Sequence, residues 1–300
     1  MANETLSIGV IQTSLDANAA WVIGPAGWQS AIKMSLLEEK RAAKEIRHFL
    51  ASLNSLERRP DIILLPELSV PMGYEAQLKD AAEKMGSIII AGLDYQIERT
   101  SPAPMVSNEA VVIVPRRLNG VQIARHTELR RVGKTYGAPG ELKKLNKIPV
   151  GFQPRPTVWI FDSESLGKFA VAICYDFADL DRIVLYRKQI QTLFIIAYNR
   201  DITSFDHIAE AIARTVFCNV VVCNCGFFGG SLAVSPFREP YKRTIYRHSG
   251  QKLANAQLIE LPLSALIEHQ NKDDTTEGEF KSLPAGYSNT IPHDTKTVSV

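Results

Sequence analysis

The sequence has no run of about 18 apolar residues, the length that a membrane-spanning helix needs. Residues 1–5, MANET, lack the basic start and the apolar stretch of a secretory signal. Only four cysteines occur among 300 residues, and this does not resemble a disulfide framework. We therefore expect a cytoplasmic protein with reduced thiols and no membrane partner.

The sequence also lacks a large excess of either charge. Lysine and arginine number 34 and aspartate and glutamate 32, which leaves a formal net charge of +2. A dedicated nucleic-acid-binding protein usually carries a concentrated basic patch, so this balance argues against that class. One basic stretch, from Arg116 to Lys147, keeps association with nucleic acid open as an alternative to a solvated loop. A salt-dependent gel shift would decide between the two.

Short apolar segments recur along the chain and predict β-strands. Several are apolar at consecutive positions, which is typical of strands buried on both faces in a sheet covered by helices. The predicted strands are residues 6–12, 61–65, 87–93, 110–115, 169–174, 192–197, 219–223 and 256–261.

Helical patterns alternate with these strands and indicate an α/β fold with helices outside one or two sheets. They cover residues 29–56, 74–85, 180–190 and 204–217. Gly86 is expected to end the second helix, and Ser204 to cap the start of the last one. Residues 14–28 and 116–157 are predicted to be irregular, and so long a loop in a compact domain is usually functional.

The chain is long enough for one large core, and we find no internal repeat. We predict a domain over residues 1–270. The polar tail, residues 271–300, is expected to be poorly packed or to pack on a neighbouring subunit.

Cys174 is the first candidate for chemistry. It follows the apolar run FAVAI and precedes a helical pattern, so it is predicted at the carboxyl end of a buried strand, where α/β proteins bind ligands. Backbone N–H groups and a helix N-terminus there favour a thiolate and a neighbouring oxyanion. The alternative is a buried structural cysteine.

Two other candidates precede Cys174 in the chain. Glu67 directly follows the strand IILLP and is a possible base for the thiol. Lys134, in GKTYGAPGE, is a possible oxyanion stabiliser, and Glu141 in the same segment is expected to fix the lysine or orient the substrate. The nearby basic residues Arg130, Arg131 and Lys143 are alternatives to Lys134.

The ordered set Glu67, Lys134 and Cys174, in PEL, GKTYGAPGE and ICYDF, resembles the Glu–Lys–Cys triad of the nitrilase (carbon–nitrogen hydrolase) superfamily. SIGVIQTSLD, NEAVVIVP and ARTVFCNVVVCNCGFFGGS also resemble segments of that family, over roughly residues 6–265. The sequence departs from the family in VGKTYGAPGE, where an aromatic-Arg-Lys-x-His-Leu pattern is usual, and in YDFADLDR after the cysteine.

The resemblance implies a four-layer α-β-β-α sandwich and an amidase-like hydrolase that needs no metal or organic cofactor. By this resemblance Cys174 is the nucleophile, Glu67 the base, and Lys134 with the backbone N–H of Tyr175 the oxyanion site. Tyr198 and Asn199 are further candidates for substrate contacts. A homodimer or larger oligomer is implied, with residues 180–190 and 204–217 as contributors.

Three other interpretations remain open. In the first, the fold serves as an inactive scaffold or binding subunit. In the second, the triad transfers an acyl group to an amine instead of water. Cys218, Cys223 and Cys225 could in principle bind a metal, but their spacing and the scattered histidines disfavour this.

Overall fold

The structure, a computed structural model, describes residues 2–24, 27–98, 104–272 and 277–288. Its strands, in chain order, are β1 (Thr5–Gln12), β2 (Ile62–Val70), β3 (Ile88–Leu93), β4 (Gln96–Glu98), β5 (Met105–Ser107), β6 (Glu109–Val114), β7 (Arg117–Leu118), β8 (Val121–Gln122), β9 (Glu128–Gly133), β10 (Gly151–Phe152), β11 (Ile160–Ser163), β12 (Gly167–Ile173), β13 (Thr192–Ala197), β14 (Asn219–Asn224), β15 (Ser231–Val234), β16 (Thr244–His248) and β17 (Asn255–Pro262).

The α-helices are α1 (Leu36–Asn54), α2 (Glu75–Met85), α3 (Pro139–Leu145), α4 (Leu180–Tyr186), α5 (Ile202–Ile212), α6 (Pro240–Arg243) and α7 (Ser264–Gln270). Two 3₁₀ turns, Trp28–Ile32 and Cys174–Ala178, and one π-helical turn, Ala213–Phe217, complete the list.

Two six-stranded sheets form the centre of the molecule. The first has the order β17-β1-β2-β3-β6-β9 and the second the order β11-β12-β13-β14-β15-β16. In the first sheet, antiparallel pairings flank the parallel pairings β1/β2 and β2/β3. In the second sheet, antiparallel pairings flank the parallel pairings β12/β13 and β13/β14. The carboxyl ends of the parallel strands therefore lie together at one edge of each sheet.

The packing arranges these sheets as the two inner layers of four. Alternate residues of the first sheet, such as Ile8 and Leu64, share one core with Val171 and Ile195 of the second. The opposite face of the first sheet packs against α1 and α2, and residues of α4 and α5 pack in the core of the second. The predicted α-β-β-α sandwich is confirmed.

All eight predicted strands are present, with shifts at their ends. The helices differ more: the pattern over residues 29–56 is a 3₁₀ turn followed by α1, and the pattern over 204–217 ends in the π-helical turn. Ser204 is not the cap of α5, because Asp201 holds that position and its carboxylate accepts the backbone N–H of Ser204. Gly86 ends α2 in the left-handed conformation, as predicted.

The prediction of an irregular segment over residues 116–157 was wrong for two longer elements, and the two-residue strands β7, β8 and β10 also lie within it. Residues 128–133 form the edge strand β9 and residues 139–145 form α3. The strand was missed because its solvent-exposed positions carry charge, including Arg130 and Arg131, and the helix is too short for a periodic pattern.

The tail is packed where it is described. Phe280 and Tyr287 are buried, in a cluster with Phe217 and Leu266 of the same chain. Residues 273–276 and 289–300 lie outside the described residues, so the tail's contact with a neighbouring subunit stays a prediction. None of the helices in the described ranges has the length and apolar character needed to cross a membrane.

Candidate active site

Both sheets contribute to one buried cluster of reactive side chains. Glu67 lies on β2, and Lys134 directly follows β9; both strands belong to the first sheet. Cys174 directly follows β12 of the second sheet and begins a 3₁₀ turn. Its φ of 46° is in the left-handed region, which is strained for a residue other than glycine. The sharp turn projects the thiol from the end of its strand towards the first sheet.

Glu67 is fixed through both of its carboxylate oxygens. Oε1 accepts hydrogen bonds from Lys134 Nζ at 2.7 Å and from Asn108 Nδ2 at 2.7 Å. Oε2 accepts the backbone N–H of Tyr198 at 2.8 Å. Because Tyr198 follows β13, this last bond ties the carboxylate to the sheet that carries Cys174.

Glu141 is a second carboxylate in the cluster. Its Oε2 lies 2.9 Å from Lys134 Nζ, so the lysine bridges Glu67 and Glu141. Its Oε1 accepts hydrogen bonds from Tyr95 Oη at 2.9 Å and from Asn108 Nδ2 at 3.1 Å. Sequence reasoning identified Glu141 but missed Tyr95 and Asn108. The only sequence signal for Asn108 was its position at the start of the predicted strand NEAVVIVP.

The charges in this cluster stabilise one another. Burial alone would lower the pKa of Lys134, but the charges of Glu67 and Glu141 and the hydrogen bond to Glu67 raise it above the ordinary value of a lysine. Burial alone would raise the pKa of Glu141, but the charge of Lys134 and hydrogen bonds from Lys134, Asn108 and Tyr95 hold it below the ordinary value. Lys134 is therefore a permanent cation between the two carboxylates.

Cys174 is a neutral thiol in this arrangement. Burial and the negative charge of Glu67 raise its pKa, and the opposing effects of Lys134 and the Tyr198 N–H do not compensate. Burial is the largest cause, followed by the charge of Glu67, and a hydrogen bond of the thiol to Glu67 acts in the same direction. The arrangement suits transfer of the thiol proton to Glu67 during attack on a substrate.

A buried ion pair holds the segment after Lys134. The carboxylate of Asp176 accepts the backbone N–H groups of Thr135 and Tyr136 at 2.8 and 2.9 Å. Asp176 also pairs with Arg182 of α4, with 3.2 Å between the carboxylate and the guanidinium. Since Asp176 lies two residues after Cys174, this contact fixes the lysine segment against the turn that carries the thiol.

The remaining predicted site residues do not all belong to the cluster. Arg130, Arg131 and Lys143 are exposed, and the two arginines pair with Glu128 and Glu75.

Tyr175 lies next to Cys174 in the 3₁₀ turn with a half-exposed ring. Asn199 is engaged in the loop before α5, where its side-chain amide donates to the carbonyl of Asp201. No contact among the described residues joins the Asn199 side chain to Glu67, Lys134 or Cys174.

An aromatic group borders the cluster. Trp21 packs edge-on against Tyr95 and Tyr198, with ring centroids 6.3 and 5.4 Å apart, and Tyr198 packs against Phe228 at 5.1 Å. The indole N–H of Trp21 donates to the buried carboxylate of Asp94 at 2.8 Å. This bond fixes Trp21 beside the active-site cluster, and the sequence gave no signal for this role of Trp21.

The other three cysteines are fully buried. Cys223 and Cys225 contact backbone carbonyls, and within the described ranges no three His, Cys, Asp or Glu side chains form a metal-binding group. These cysteines belong to the core of the fold.

Comparison with family models and with curated proteins gave no match for this sequence. Comparison with solved structures gave many. A carbon–nitrogen hydrolase from Helicobacter pylori G27 is 14% identical, with a TM-score of 0.62, covering 88% of this chain and 91% of its own. Nit3 of the nitrilase superfamily, from Saccharomyces cerevisiae, is 15% identical, with a TM-score of 0.59 and coverages of 89% and 93%.

An amidase from Nesterenkonia sp. AN1 is 13% identical, with a TM-score of 0.58 and coverages of 88% and 93%. In that structure, of an amidase mutant, the acetamide moiety of fluoroacetamide is covalently attached to the active-site cysteine. The chain has the fold of the nitrilase superfamily over most of its length, as the sequence resemblance implied.

Proposed function

We propose that this protein is a carbon–nitrogen hydrolase that cleaves a linear amide or an N-carbamoyl amide through a thioester on Cys174. The observation that carries the proposal is the buried convergence of Glu67, Lys134 and Glu141 around the thiol of Cys174. The covalent adduct on the cysteine of the structurally similar amidase mutant supports it.

The geometry supports the following sequence of bond changes. The Cys174 sulfur attacks the substrate carbonyl carbon while the thiol proton passes to Glu67. Lys134 and the backbone N–H of Tyr175 bind the oxyanion. The carbon–nitrogen bond then breaks as Glu67 returns the proton to the leaving nitrogen, and ammonia or an amine departs. Water, deprotonated by Glu67, attacks the thioester, and the proton passes to the sulfur as the acid leaves.

The first test is chemical modification of the four thiols. Cys174 retains 6% exposure whereas Cys218, Cys223 and Cys225 retain none, so the three core cysteines are internal controls. Mass spectrometry after treatment with iodoacetamide should locate the label on Cys174, and Glu67→Gln should slow the labelling because the base is lost. Equal labelling of all four cysteines would contradict the proposal.

The second test is catalysis. Wild-type protein should release ammonia from amides in water, Cys174→Ala should abolish this, and Glu67→Gln should lower kcat by about 10²–10⁴-fold, the usual contribution of a general base. Product formation only when an amine acceptor is added would instead identify an acyltransferase. A labelled Cys174 without turnover of any amide would favour the scaffold alternative.

A further inference from the structure

Lys144 lies beside the active-site cluster but has no part in the mechanism above. It follows Glu141 by three residues on α3, so the two side chains share a face of the helix. The Lys144 ammonium lies 5.3 Å from the ring centre of Trp21 and 5.6 Å from that of Tyr95. Tyr95 also donates a hydrogen bond to Glu141, so its ring lies between Lys144 and Glu141.

The ammonium is charged and largely removed from water without a direct partner. Burial lowers the pKa of Lys144 to about 8, with the negative charges of Asp94 and Glu141 opposing the shift, so the side chain is mainly protonated at neutral pH. In the part of the chain that the structure describes, no carboxylate oxygen lies within 4.0 Å of it. A desolvated ammonium carries three donors and is costly to leave without an acceptor.

The neighbouring carboxylates are occupied by other donors. Asp94 accepts hydrogen bonds from Trp21 Nε1, the Met34 N–H and the Tyr95 N–H at 2.7–2.9 Å. Glu141 accepts from Lys134, Asn108 and Tyr95. Neither carboxylate pairs directly with Lys144, and among the described residues its ammonium lies against the faces of Trp21 and Tyr95.

We infer that Lys144 is a specificity-determining residue that binds a carboxylate on the substrate, remote from the amide that Cys174 attacks. The inference rests on the proposed function and names its substrate class, an amide or N-carbamoyl compound that carries a free carboxylate. The aromatic group formed by Trp21, Tyr95 and Tyr198 borders both the triad and Lys144, so it provides an apolar surface for the carbon chain between the two polar ends.

The kinetic test compares succinamate with its methyl ester, which has the same amide and no charge. Wild-type protein should prefer succinamate. Lys144→Met should raise KM for succinamate about 10-fold or more, the effect expected for one charge-assisted hydrogen bond, and leave the methyl ester unchanged. Lys144→Arg should restore part of the preference. Malonamate and glutaramate measured in parallel define the distance between the two ends.

Lys143→Met is the matched control, because Lys143 is the adjacent lysine on α3 and is exposed. It should change neither substrate. An equal loss on both substrates in Lys144→Met would overturn the inference, since it would show that the lysine only balances the charges of Asp94 and Glu141.

A binding measurement separates this inference from the proposed hydrolysis. Isothermal titration of succinate, the expected product, into wild type and Lys144→Met does not require turnover. Binding that weakens about 10-fold or more in the variant supports a carboxylate site even if no amide is hydrolysed. Equal binding by the two proteins, or no binding by wild type, overturns the inference even if amides are hydrolysed.

Discussion

Asn108 donates from one amide nitrogen to both Glu67 and Glu141, at 2.7 and 3.1 Å. Lys134 makes the same bridge from the other side with a full charge. The two donors hold two carboxylates together that would otherwise repel each other. This pairing holds the Glu67 carboxylate in the position that the proposed proton transfer from Cys174 requires.

Replacement of Lys134 by methionine should therefore affect stability as well as catalysis. Removing one partner of a buried pair leaves uncompensated charge, at a cost of about 3–5 kcal/mol in the free energy of unfolding. The decrease in the free energy of unfolding is expected at neutral pH, and denaturant-induced unfolding measures it. Lys143→Met, on the surface of α3, serves as the control with no expected loss.

The deficit of Lys134→Met should depend on pH in a defined direction. In wild type the lowered pKa of Glu141 contributes stability that is present above its ordinary value of 4.5 and is lost as the pH falls. Without the charge of Lys134, burial should raise the pKa of Glu141, so its contribution to stability would be present below 4.5 and lost as the pH rises. The difference between the proteins should grow from pH 4 to 8, and a constant difference would refute this explanation.

At the residue scale, the sequence identified the side chains to which we assign the chemistry but not the side chains that contact them. Glu67, Lys134, Glu141 and Cys174 could be identified because they occur in a recognisable order after apolar strands. Asn108, Tyr95 and Trp21 act through contacts with residues distant in sequence, and no local pattern distinguishes them from ordinary polar or core residues. Their roles require the fold.

At the scale of elements, a bulge on β2 determines where Glu67 lies. The register between β2 and β3 shifts between Leu65 and Val70, and Leu68 within this stretch has a φ of 54°. β3 accommodates the bulge through Gly92, where a Cβ atom would lie 2.3 Å from the Pro66 oxygen and 2.4 Å from Glu67 Cα. The absence of a side chain at Gly92 is thus required for the position of Glu67.

Gly92→Ala should displace Glu67 and reduce activity by about 100-fold, the usual consequence of a 1 Å displacement at a reacting group. Turnover and the rate of Cys174 labelling measure the effect. Gly140→Ala is the matched control, because no heavy atom lies within 4 Å of the added Cβ. It should retain full activity with equal or slightly higher stability, since alanine is the better helix former. Full activity in Gly92→Ala would show that the bulge has no such role.

The elements themselves were predictable to different degrees. Strands that are buried on both faces, such as β2 and β13, have an apolar composition that identifies them without any partner. The edge strand β9 lacks this signature because its outward side chains are solvated. The short helix α3 also has no periodic pattern, although it carries both Glu141 and Lys144.

At the scale of the whole molecule, α4 exposes an apolar surface next to the active site. Leu180, Val184 and Leu185 are 77%, 68% and 58% exposed, and Tyr175 and Tyr136 lie half-exposed nearby. Contiguous exposed apolar side chains of this kind mark protein–protein contacts. The homo-oligomer expected from the sequence resemblance would bury them, and it stays a prediction.

Val184→Glu should shift such an oligomer towards the monomer, because a charge would be buried in the contact. Sedimentation velocity over a range of protein concentrations measures the change. Val121→Glu introduces the same charge at a similarly exposed valine on β8 and should leave the distribution unchanged. A wild-type protein that is monomeric at every concentration would rule out this use of α4.

The architecture could be predicted from the resemblance of a few motifs to the nitrilase superfamily and from the alternation of strands and helices. The structural neighbours share only 13–15% identity with the chain, yet they cover about nine-tenths of it. A layered sandwich tolerates such divergence because its core requires apolar residues of suitable volume, not particular ones. The sequence departs from the family pattern in VGKTYGAPGE around Lys134 and in YDFADLDR after Cys174, which are segments beside the active-site cluster and not part of the sheet core.

The division of the triad between two sheets has a consequence for the newly made chain. Glu67 and Lys134 are synthesised before Cys174, and the edge of their sheet is completed by β17, which is made later still. The Cys174 thiol therefore meets Glu67 only when the strands that carry them have formed and the two sheets have packed together. Until the two sheets pack, the chain lacks the arrangement on which the proposed chemistry depends, so we expect reactivity of Cys174 to appear only with the folded core.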